Sequence, residues 1–426
     1  MLLQLPLLVA SLAAAAAPQV PLAFHSDSTS AMDTINASPF LSFHRDLVQT
    51  ESISGNETQV GSLVADFLEA HNFTVVKQPV NSHGDKRFNI LAYPGSLSSR
   101  QPEILLTSHI DTVPPFIPYS LSYLDSKKNH NSEENIRIAG RGSVDAKASV
   151  AAQIFSLLDI LNTTTSDTPP IGLLFVTGEE TGGDGMHAFS DSSSLNPSPS
   201  PYHTIIFGEP TEHALVAGHK GMLRFDIKAT GKAAHSGYPW LGRSAISAIL
   251  PALQRVDRLG ESIPFEDSGL PSSEKYGKST VNIGRVDAGV ATNVVPASAR
   301  AEVAVRLAAG TPALARDIIN RAISNATDDD DDDGDVFADF ESYPENYAPQ
   351  ELDVGVEGFE VATVNYGTDV PHLVVHPNRH GKAVRRFLYG PGSIHVAHGD
   401  NEALTVAELE RAVDGYRRLI EAALRR

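Results

Sequence analysis

The spacing of apolar residues predicts strands alternating with helices over most of the chain. Short apolar runs typical of buried strands lie at 103–109, 171–176 and 202–207, and helical spacing recurs over 150–161 and 409–424. Further strands are predicted at 73–79, 88–93, within 136–145 and at 393–397, and two further helices within 39–71. This alternation predicts an α/β domain with a mainly parallel central sheet flanked by helices.

The pattern changes near residue 218. Alternating strand patterns are found at 221–230, 281–286, 299–307 and 336–343, and helical patterns at 244–259 and 315–325. This β-α-β-β-α-β order predicts an inserted α+β domain with one sheet and two helices. We therefore expect the first domain in two parts, 38–217 and 349–426, with the inserted domain at 218–348.

Composition limits the classes of partner. A chain of 426 residues is long enough for two domains, and its 41% hydrophobic and 20% charged content is typical of a soluble globular protein. The formal net charge of −19 argues against a nucleic-acid or an anionic-membrane partner, because phosphate groups need the opposite sign.

The amino terminus predicts export. Residues 2–17 are apolar and end in five alanines, which fits a secretory signal over 1–17, although no Lys or Arg precedes the apolar run. We expect a secreted, extracellular protein, and this segment is too short to span a membrane. Glycan acceptor triplets, which agree with that route, begin at Asn36, Asn56, Asn72, Asn162 and Asn325.

Two further features bear on stability. The chain has no cysteine, so a secreted form would depend on a large core or on bound metal instead of disulfides. The six aspartates at 328–333 are expected to form a solvated loop, since blocks of like charge repel one another.

Acids and histidines follow the predicted strands. These residues are His109, Asp145, Glu179, Glu180, Glu209 and His398. Because the carboxyl ends of parallel strands meet at one edge of a sheet, we expect them to lie together. Two imidazoles with three carboxylates balance two divalent cations and one hydroxide. Nitrogen and carboxylate ligands without thiolate fit Zn²⁺, with Co²⁺ or Mn²⁺ as substitutes.

Five motifs resemble those of a known family. They are HIDTVP at 109–114, GRGSVDAKA at 140–148, TGEETGG at 177–183, GEPT at 208–211 and AHGDNE at 397–402. Their order and spacing resemble the di-zinc amidohydrolases and carboxypeptidases that include acetylornithine deacetylase, succinyl-diaminopimelate desuccinylase and the glutamate-releasing carboxypeptidases. The resemblance extends over nearly all of the chain after residue 40.

The resemblance implies a metal-binding role for five residues. Asp145 would bridge two Zn²⁺ ions, with His109 and Glu209 completing one site and Glu180 and His398 completing the other. Some members of the family have Asp at the position of Glu209, and this difference does not identify the substrate.

The resemblance also implies catalytic and substrate-binding residues. Glu179 would be the general base and Asp111 would orient the ligand imidazole. In the inserted domain, which would act as a lid and a dimerisation domain, His235 resembles an oxyanion-stabilising histidine that is often supplied across a dimer interface. Asn293 would contact the substrate or the oxyanion, and Arg306 would bind a substrate carboxylate.

The first functional interpretation is a secreted zinc carboxypeptidase that cleaves an amide bond next to a free carboxylate in peptides or N-acyl amino acids. The alternative enzyme is a deacylase of acetylornithine type. A di-zinc aminopeptidase would lack the inserted domain with His235, Asn293 and Arg306. A non-catalytic binding module would have lost ligands that are present here. The resemblance also allows a homodimer through the inserted domain.

Overall fold

A computed structural model describes residues 27–80, 86–95, 102–124, 133–164, 169–261, 269–326, 336–343 and 345–425. The predicted signal segment at 1–17 and the aspartate run at 328–333 lie outside these ranges. The helices are α1 Asp27–Ala37, α2 Pro39–Gln49, α3 Thr58–Ala70, α4 Lys147–Thr163, α5 Asp184–Ser190, α6 Ala245–Asp257, α7 Pro312–Ser324 and α8 Val406–Leu424.

The strands form one six-stranded sheet and three smaller sheets. They are β1 Phe73–Pro79, β2 Phe88–Pro94, β3 Ile104–His109, β4 Ser120–Tyr123, β5 Ile136–Ala139, β6 Ile171–Val176, β7 Thr204–Gly208, β8 Leu215–His219, β9 Gly221–Thr230, β10 Thr280–Ala288, β11 Ser298–Leu307, β12 Val336–Asp339, β13 Gln350–Glu351, β14 Val361–Val364, β15 Arg385–Tyr389 and β16 Ala403–Thr405.

The central sheet has the strand order β1-β2-β6-β3-β7-β15. The strands β6, β3, β7 and β15 are mutually parallel, whereas β1 and β2 join by antiparallel pairing. Every residue of β3 and β6 is buried, because helices cover both faces. Leu106 points into the core shared with α4 and α8, and Leu105 into the core beneath α5. The predicted mainly parallel sheet is confirmed.

The closing helix α8 begins with a capping box. Thr405 accepts a hydrogen bond from the backbone N–H of Glu408, and the Glu408 carboxylate accepts one from the backbone of Thr405. Leu409, Tyr416 and Ile420 are fully buried against the first core. The stripe of apolar side chains therefore fixes α8 on the same face of the sheet as α4.

The inserted unit has the predicted order of strands and helices. Its sheet has the order β10-β11-β9-β12, all pairs being antiparallel, and α6 and α7 pack on it around a separate core. The small sheet β13-β8-β14, which the sequence pattern did not predict, pairs the chain entering the unit with the chain leaving it. The domain boundaries stay predictions.

The predicted strand at 393–397 is wrong. The last strand of the central sheet is β15, which pairs with β7 in parallel register, and residues 394–401 form turns. The alternation of Ile394 and Val396 imitates a strand, but the chain has already left the sheet at the Gly390-Pro391-Gly392 break, where Gly392 has a φ of 74°. His398 consequently lies on a turn, with a φ of 62°.

Two sequence expectations concern the surface. The five acceptor asparagines, Asn36, Asn56, Asn72, Asn162 and Asn325, are all exposed to solvent, as glycan attachment requires, and their modification stays a prediction. Within the described ranges, none of the helices combines the length and the apolar character needed to cross a bilayer.

Candidate metal centre and adjoining cavity

The carboxyl edge of the central sheet brings the predicted ligands together. His109 is the last residue of β3, and Glu209 directly follows β7. Glu180 lies in the short 3-10 turn Glu179–Thr181, which two residues separate from the end of β6. Asp145 immediately precedes Ala146, the N-cap residue of α4. His398 reaches the same place from the turn after β15. The ends of the parallel strands, the start of α4 and the turn after β15 therefore place five ligand side chains in one site.

The five side chains form two groups that share Asp145. His109, Asp145 and Glu209 make one group and Asp145, Glu180 and His398 the other, with the ligand atoms of each group within 4.8 Å of one another. Asp145 Oδ1 lies 3.0 Å from His109 Nε2, and Asp145 Oδ2 lies 3.3 Å from His398 Nε2. Each carboxylate oxygen thus faces a different group, as in a bridging carboxylate.

Burial of these acids favours a neutralising partner. Burial raises the pKa of Glu209 well above its ordinary value, and neighbouring acids add to this effect. Burial and the charge of Asp145 raise the pKa of Glu180 to about 7. Burial acts in the same direction on Asp145, but hydrogen bonds with His109 and His398 outweigh it and lower the pKa of Asp145. The clustered nitrogen and oxygen donors, without sulfur, fit divalent cations.

Asp111 supports both the ligand histidine and the acidic turn. It is fully buried, and its carboxylate accepts hydrogen bonds from the backbone N–H groups of Glu179 and Glu180, at 3.1 and 3.2 Å, and from the Ser54 hydroxyl. Asp111 Oδ1 also lies 3.5 Å from His109 Nδ1. The carboxylate of Asp111 therefore supports the Glu179-Glu180 turn, while its backbone carbonyl lies 3.1 Å from His109 Nδ1.

A buried ion pair that sequence reasoning missed fixes the Asp145 loop. Glu402 accepts hydrogen bonds from the backbone N–H groups of Val144 and Asp145, at 3.0 and 3.1 Å, and from Arg141 at 2.7 Å. Arg141 also donates to the carbonyl of His398. Both residues lie in quoted motifs, which was the available signal, but 261 positions separate them.

Arg306 is the predicted substrate residue that shares a cavity with the metal-site candidates. The cavity, of about 360 Å³, is lined among others by Asp145, Glu179, Glu180, Glu209, His398 and Arg306. Arg306 Nη1 lies 3.2 Å from the Met222 sulfur. A cation therefore lines the same cavity as the cluster of acids.

His235 and Asn293 are not brought to this cavity within one chain. Both are exposed, and neither lines the cavity. They neighbour each other on the inserted unit, where the backbone N–H of Ser236 donates to the Asn293 carbonyl at 3.0 Å. A single chain consequently holds the acids, the histidine ligands and Arg306, but not these two predicted contacts.

The fold and the donor set define a class of metal-dependent hydrolase, and comparison with known proteins agrees. Residues 217–333 match the family model described as "Peptidase dimerisation domain". The chain is 66% identical to a probable carboxypeptidase of Aspergillus niger, over 97% of this chain and 96% of that protein. It is 65% identical to one of Aspergillus flavus, over 96% and 95%.

Solved structures share the fold. A tripeptidase from Staphylococcus aureus has a TM-score of 0.67 at 20% identity, covering 91% of this chain and 98% of that one. The M20 family metallo-carboxypeptidase Sso-CP2 from Sulfolobus solfataricus scores 0.66 at 15% identity, covering 91% and 100%. A dinuclear metal-binding M20 peptidase from Bacillus subtilis scores 0.58 at 15% identity, covering 92% and 98%. The chain belongs to the M20 family of metallopeptidases, and its activity is that of a peptidase.

Proposed function

We propose that the protein is a secreted, di-zinc carboxypeptidase that cleaves the amide bond next to a free carboxylate. The observation that carries the metal assignment is Asp145, whose two oxygens face two separate ligand groups. His109 and Glu209 would hold one ion, and Glu180 and His398 the other. Bound zinc would polarise the substrate carbonyl and acidify water at this site.

Glu179 is the proposed general base. It lines the cavity beside both ligand groups without belonging to either. Burial raises its pKa well above the ordinary value, although the charge of His109 opposes this. Glu179 accepts a proton from the attacking water as the oxygen adds to the amide carbon, and it returns that proton to the leaving nitrogen when the C–N bond breaks.

Arg306 is the proposed partner of the substrate carboxylate. An anionic group entering a cavity lined with acids needs a fixed positive charge. Arg306 contacts the sulfur of Met222 and the phenol of Tyr347, neither of which neutralises its charge at neutral pH. Its planar guanidinium can therefore form a paired hydrogen bond with a carboxylate.

His235 and Asn293 are proposed to act in the site of a second copy of the chain. They lie beside exposed apolar side chains, since Tyr238 is 56%, Trp240 73% and Val290 86% exposed. An apolar surface of this kind is typical of a protein interface. The match to a peptidase dimerisation domain over 217–333 supports a homodimer through this unit.

The test uses dipeptides and N-acyl amino acids with free or amidated carboxyl ends. We expect cleavage of the free acids, and amidation should cost roughly 2–5 kcal/mol of transition-state binding, as expected for loss of a buried charged contact. Arg306→Gln should lower kcat/KM for the acids and leave the amides nearly unchanged. Equal cleavage of acids and amides by the unmodified enzyme would contradict the carboxypeptidase proposal.

A further inference from the structure

A third cluster of ligand side chains lies outside the two groups around Asp145. It consists of His187 on α5, His372 at the end of the 3-10 turn Val370–His372, and Glu345 on the chain returning from the inserted unit. One ligand atom from each residue lies within 4.8 Å of the other two. The two imidazole centroids are 4.6 Å apart. None of the three residues belongs to the candidate di-zinc centre.

The cluster contains buried nitrogen atoms that have no hydrogen-bond partner among the described residues. They are Nε2 of His187 and Nε2 of His372. The nearest carboxylate oxygen of Glu345 is 3.9 Å from His187 Nε2, which is too long for a direct hydrogen bond. The His372 side chain is only 10% exposed. Unpaired buried polar atoms are costly, so two unpaired imidazole nitrogens in a cluster that also holds a carboxylate indicate an absent partner.

Asp369 prepares His372 for metal binding. Its Oδ1 lies 3.3 Å from His372 Nδ1, and a carboxylate acceptor at this nitrogen favours the neutral tautomer that has its hydrogen on Nδ1 and a lone pair on Nε2. Metal-binding histidines in proteins are oriented in this way by a carboxylate on the other ring nitrogen. The same carboxylate therefore orients the ring whose Nε2 is unpaired.

Two adjacent glycines make room for the cluster. A Cβ atom on Gly183 would lie 2.1 Å from His372 Nδ1, and a Cβ atom on Gly182 would lie 2.8 Å from Glu345 Oε2. A Cβ atom cannot lie so close to the His372 ring, so the chain at residue 183 can approach that ring only because the residue is glycine. At residue 182 a larger side chain would force the Glu345 carboxylate to move. The close approach brings Glu345 and His372 to one place.

We propose that His187, His372 and Glu345 bind a third divalent cation, of the zinc class. Two imidazoles and one carboxylate are a donor set that Zn²⁺ takes readily, with water as a fourth ligand. The ion would join α5 and the Val370–His372 turn to the segment that returns from the inserted unit. Because Tyr347 and Glu345 in that segment line the main cavity, the ion fixes one wall of that cavity.

Zinc stoichiometry of the purified full-length protein provides the first test. The protein is stripped with a chelator, dialysed against Zn²⁺, desalted and analysed for metal. His187→Gln and Glu345→Gln should each lose about one zinc per chain, and the double variant no more than either single variant. The control is His380→Gln, because His380 is an exposed histidine on a neighbouring turn, and it should retain the wild-type content.

The Asp145→Asn variant separates this proposal from the proposed function. This variant should lose zinc from the bridged centre and keep the third ion. The zinc lost by a protein that carries both Asp145→Asn and His187→Gln should therefore equal the sum of the losses in the two single variants. If Asp145→Asn alone fails to lose zinc, the di-zinc proposal fails and the third site is unaffected. If His187→Gln and Glu345→Gln keep the wild-type zinc content, the third site does not exist.

A measurement on the unaltered protein guards against variants that do not fold. Crystals grown with Zn²⁺ should show an anomalous peak at the zinc edge between His187, His372 and Glu345, separate from the peaks at Asp145. If no peak appears there, the cluster is explained by an ion pair between a protonated histidine and Glu345 without any metal. That result would overturn the proposal.

Discussion

Adjacent residues in this site have different environments. Glu179 and Glu180 receive backbone support from the same carboxylate, Asp111, yet the Glu180 side chain lies 2.9 Å from His398 Nε2 and Glu179 belongs to neither ligand group. The separation of their roles follows from the short helical turn in which they lie.

The first prediction separates these roles by substitution. Glu179→Ala should lower kcat by roughly 10²–10⁴-fold, the range for loss of a general base, while the metal content stays near that of the unaltered protein. Glu180→Ala should lower the metal content together with the activity. Metal analysis and kinetics on the same preparations test both statements. Equal metal loss in both variants would contradict the assignment.

The second prediction concerns acid sensitivity through His44. Burial lowers the pKa of His44 to about 4, although its hydrogen bond to the Ser143 carbonyl opposes this. The unfolded chain binds a proton near pH 6.5 and the folded chain does not, so this stabilisation is present above pH 6.5 and is lost as pH falls towards 4. The loss amounts to about 3 kcal/mol.

Urea unfolding at several pH values measures this effect. His44→Gln can keep a donor for Ser143 and cannot titrate, so its free energy of unfolding should fall less steeply between pH 6.5 and 4 than that of the unaltered protein. It should also be lower at pH 7, because the substitution leaves part of the imidazole volume empty. If the free energy of unfolding falls equally steeply with pH in the two proteins, His44 is not the source of the acid sensitivity.

Among the structural elements, the loops that present Asp145 and His398 depend on one ion pair. The Arg141 and Glu402 side chains are each about 1% exposed, and Glu402 also accepts two backbone hydrogen bonds from the Asp145 loop. Removing one partner leaves an unpaired buried charge, which costs more than the pair contributes. The two loops are therefore expected to lose their positions together.

The third prediction follows from this coupling. Glu402→Ala should lower the free energy of unfolding by roughly 3–5 kcal/mol and should reduce metal content, because both loops carry proposed ligands. Glu410→Ala, an exposed acid on α8, is the matched control and should change stability by about 0.5 kcal/mol or less. Calorimetry with metal analysis tests this, and unchanged metal content in a destabilised Glu402→Ala protein would contradict the coupling.

The sequence predicted elements whose signal is local and missed those that depend on distant pairing. The apolar runs that became β3, β6 and β7 place His109, Glu179, Glu180 and Glu209 at strand ends without knowledge of the fold. The strands β13 and β14 have two and four residues, which is too short for a recognisable period. The pattern at 393–397 predicts a strand because Ile394 and Val396 are separated by a polar residue, but the segment forms the turn before His398.

At the scale of the whole molecule, the same limit applies to side chains that meet only after folding. Glu402 pairs with Arg141 across 261 positions, and His187 meets Glu345 and His372 although no motif links them. Resemblance supplied the roles of His235 and Asn293, but one folded chain leaves both on an exposed surface. The function of that surface therefore depends on whether two chains associate.

The fourth prediction tests association through Trp240, which is 73% exposed beside His235. Trp240→Asp should convert a dimer to a monomer in sedimentation or light scattering, since a charge within an apolar interface is unpaired there. The control is Val361→Asp, because Val361 is also a well-exposed apolar residue, at 57%, but lies on β14 outside the inserted range 218–348. Association unchanged by Trp240→Asp would exclude this surface as the interface.

The last prediction asks whether the partner completes the site. Glu179→Ala and His235→Ala should each be nearly inactive as separate proteins if both residues act on the substrate. In a mixed dimer, one cavity has its own intact Glu179 and receives His235 from the partner, so mixing and exchanging the two variants should restore part of the activity. Restoration requires His235 to act across the interface, because two defects within one chain's own cavity cannot complement each other. Dimers that exchange subunits and stay inactive would limit the proposed site to Arg306 and the residues of a single chain.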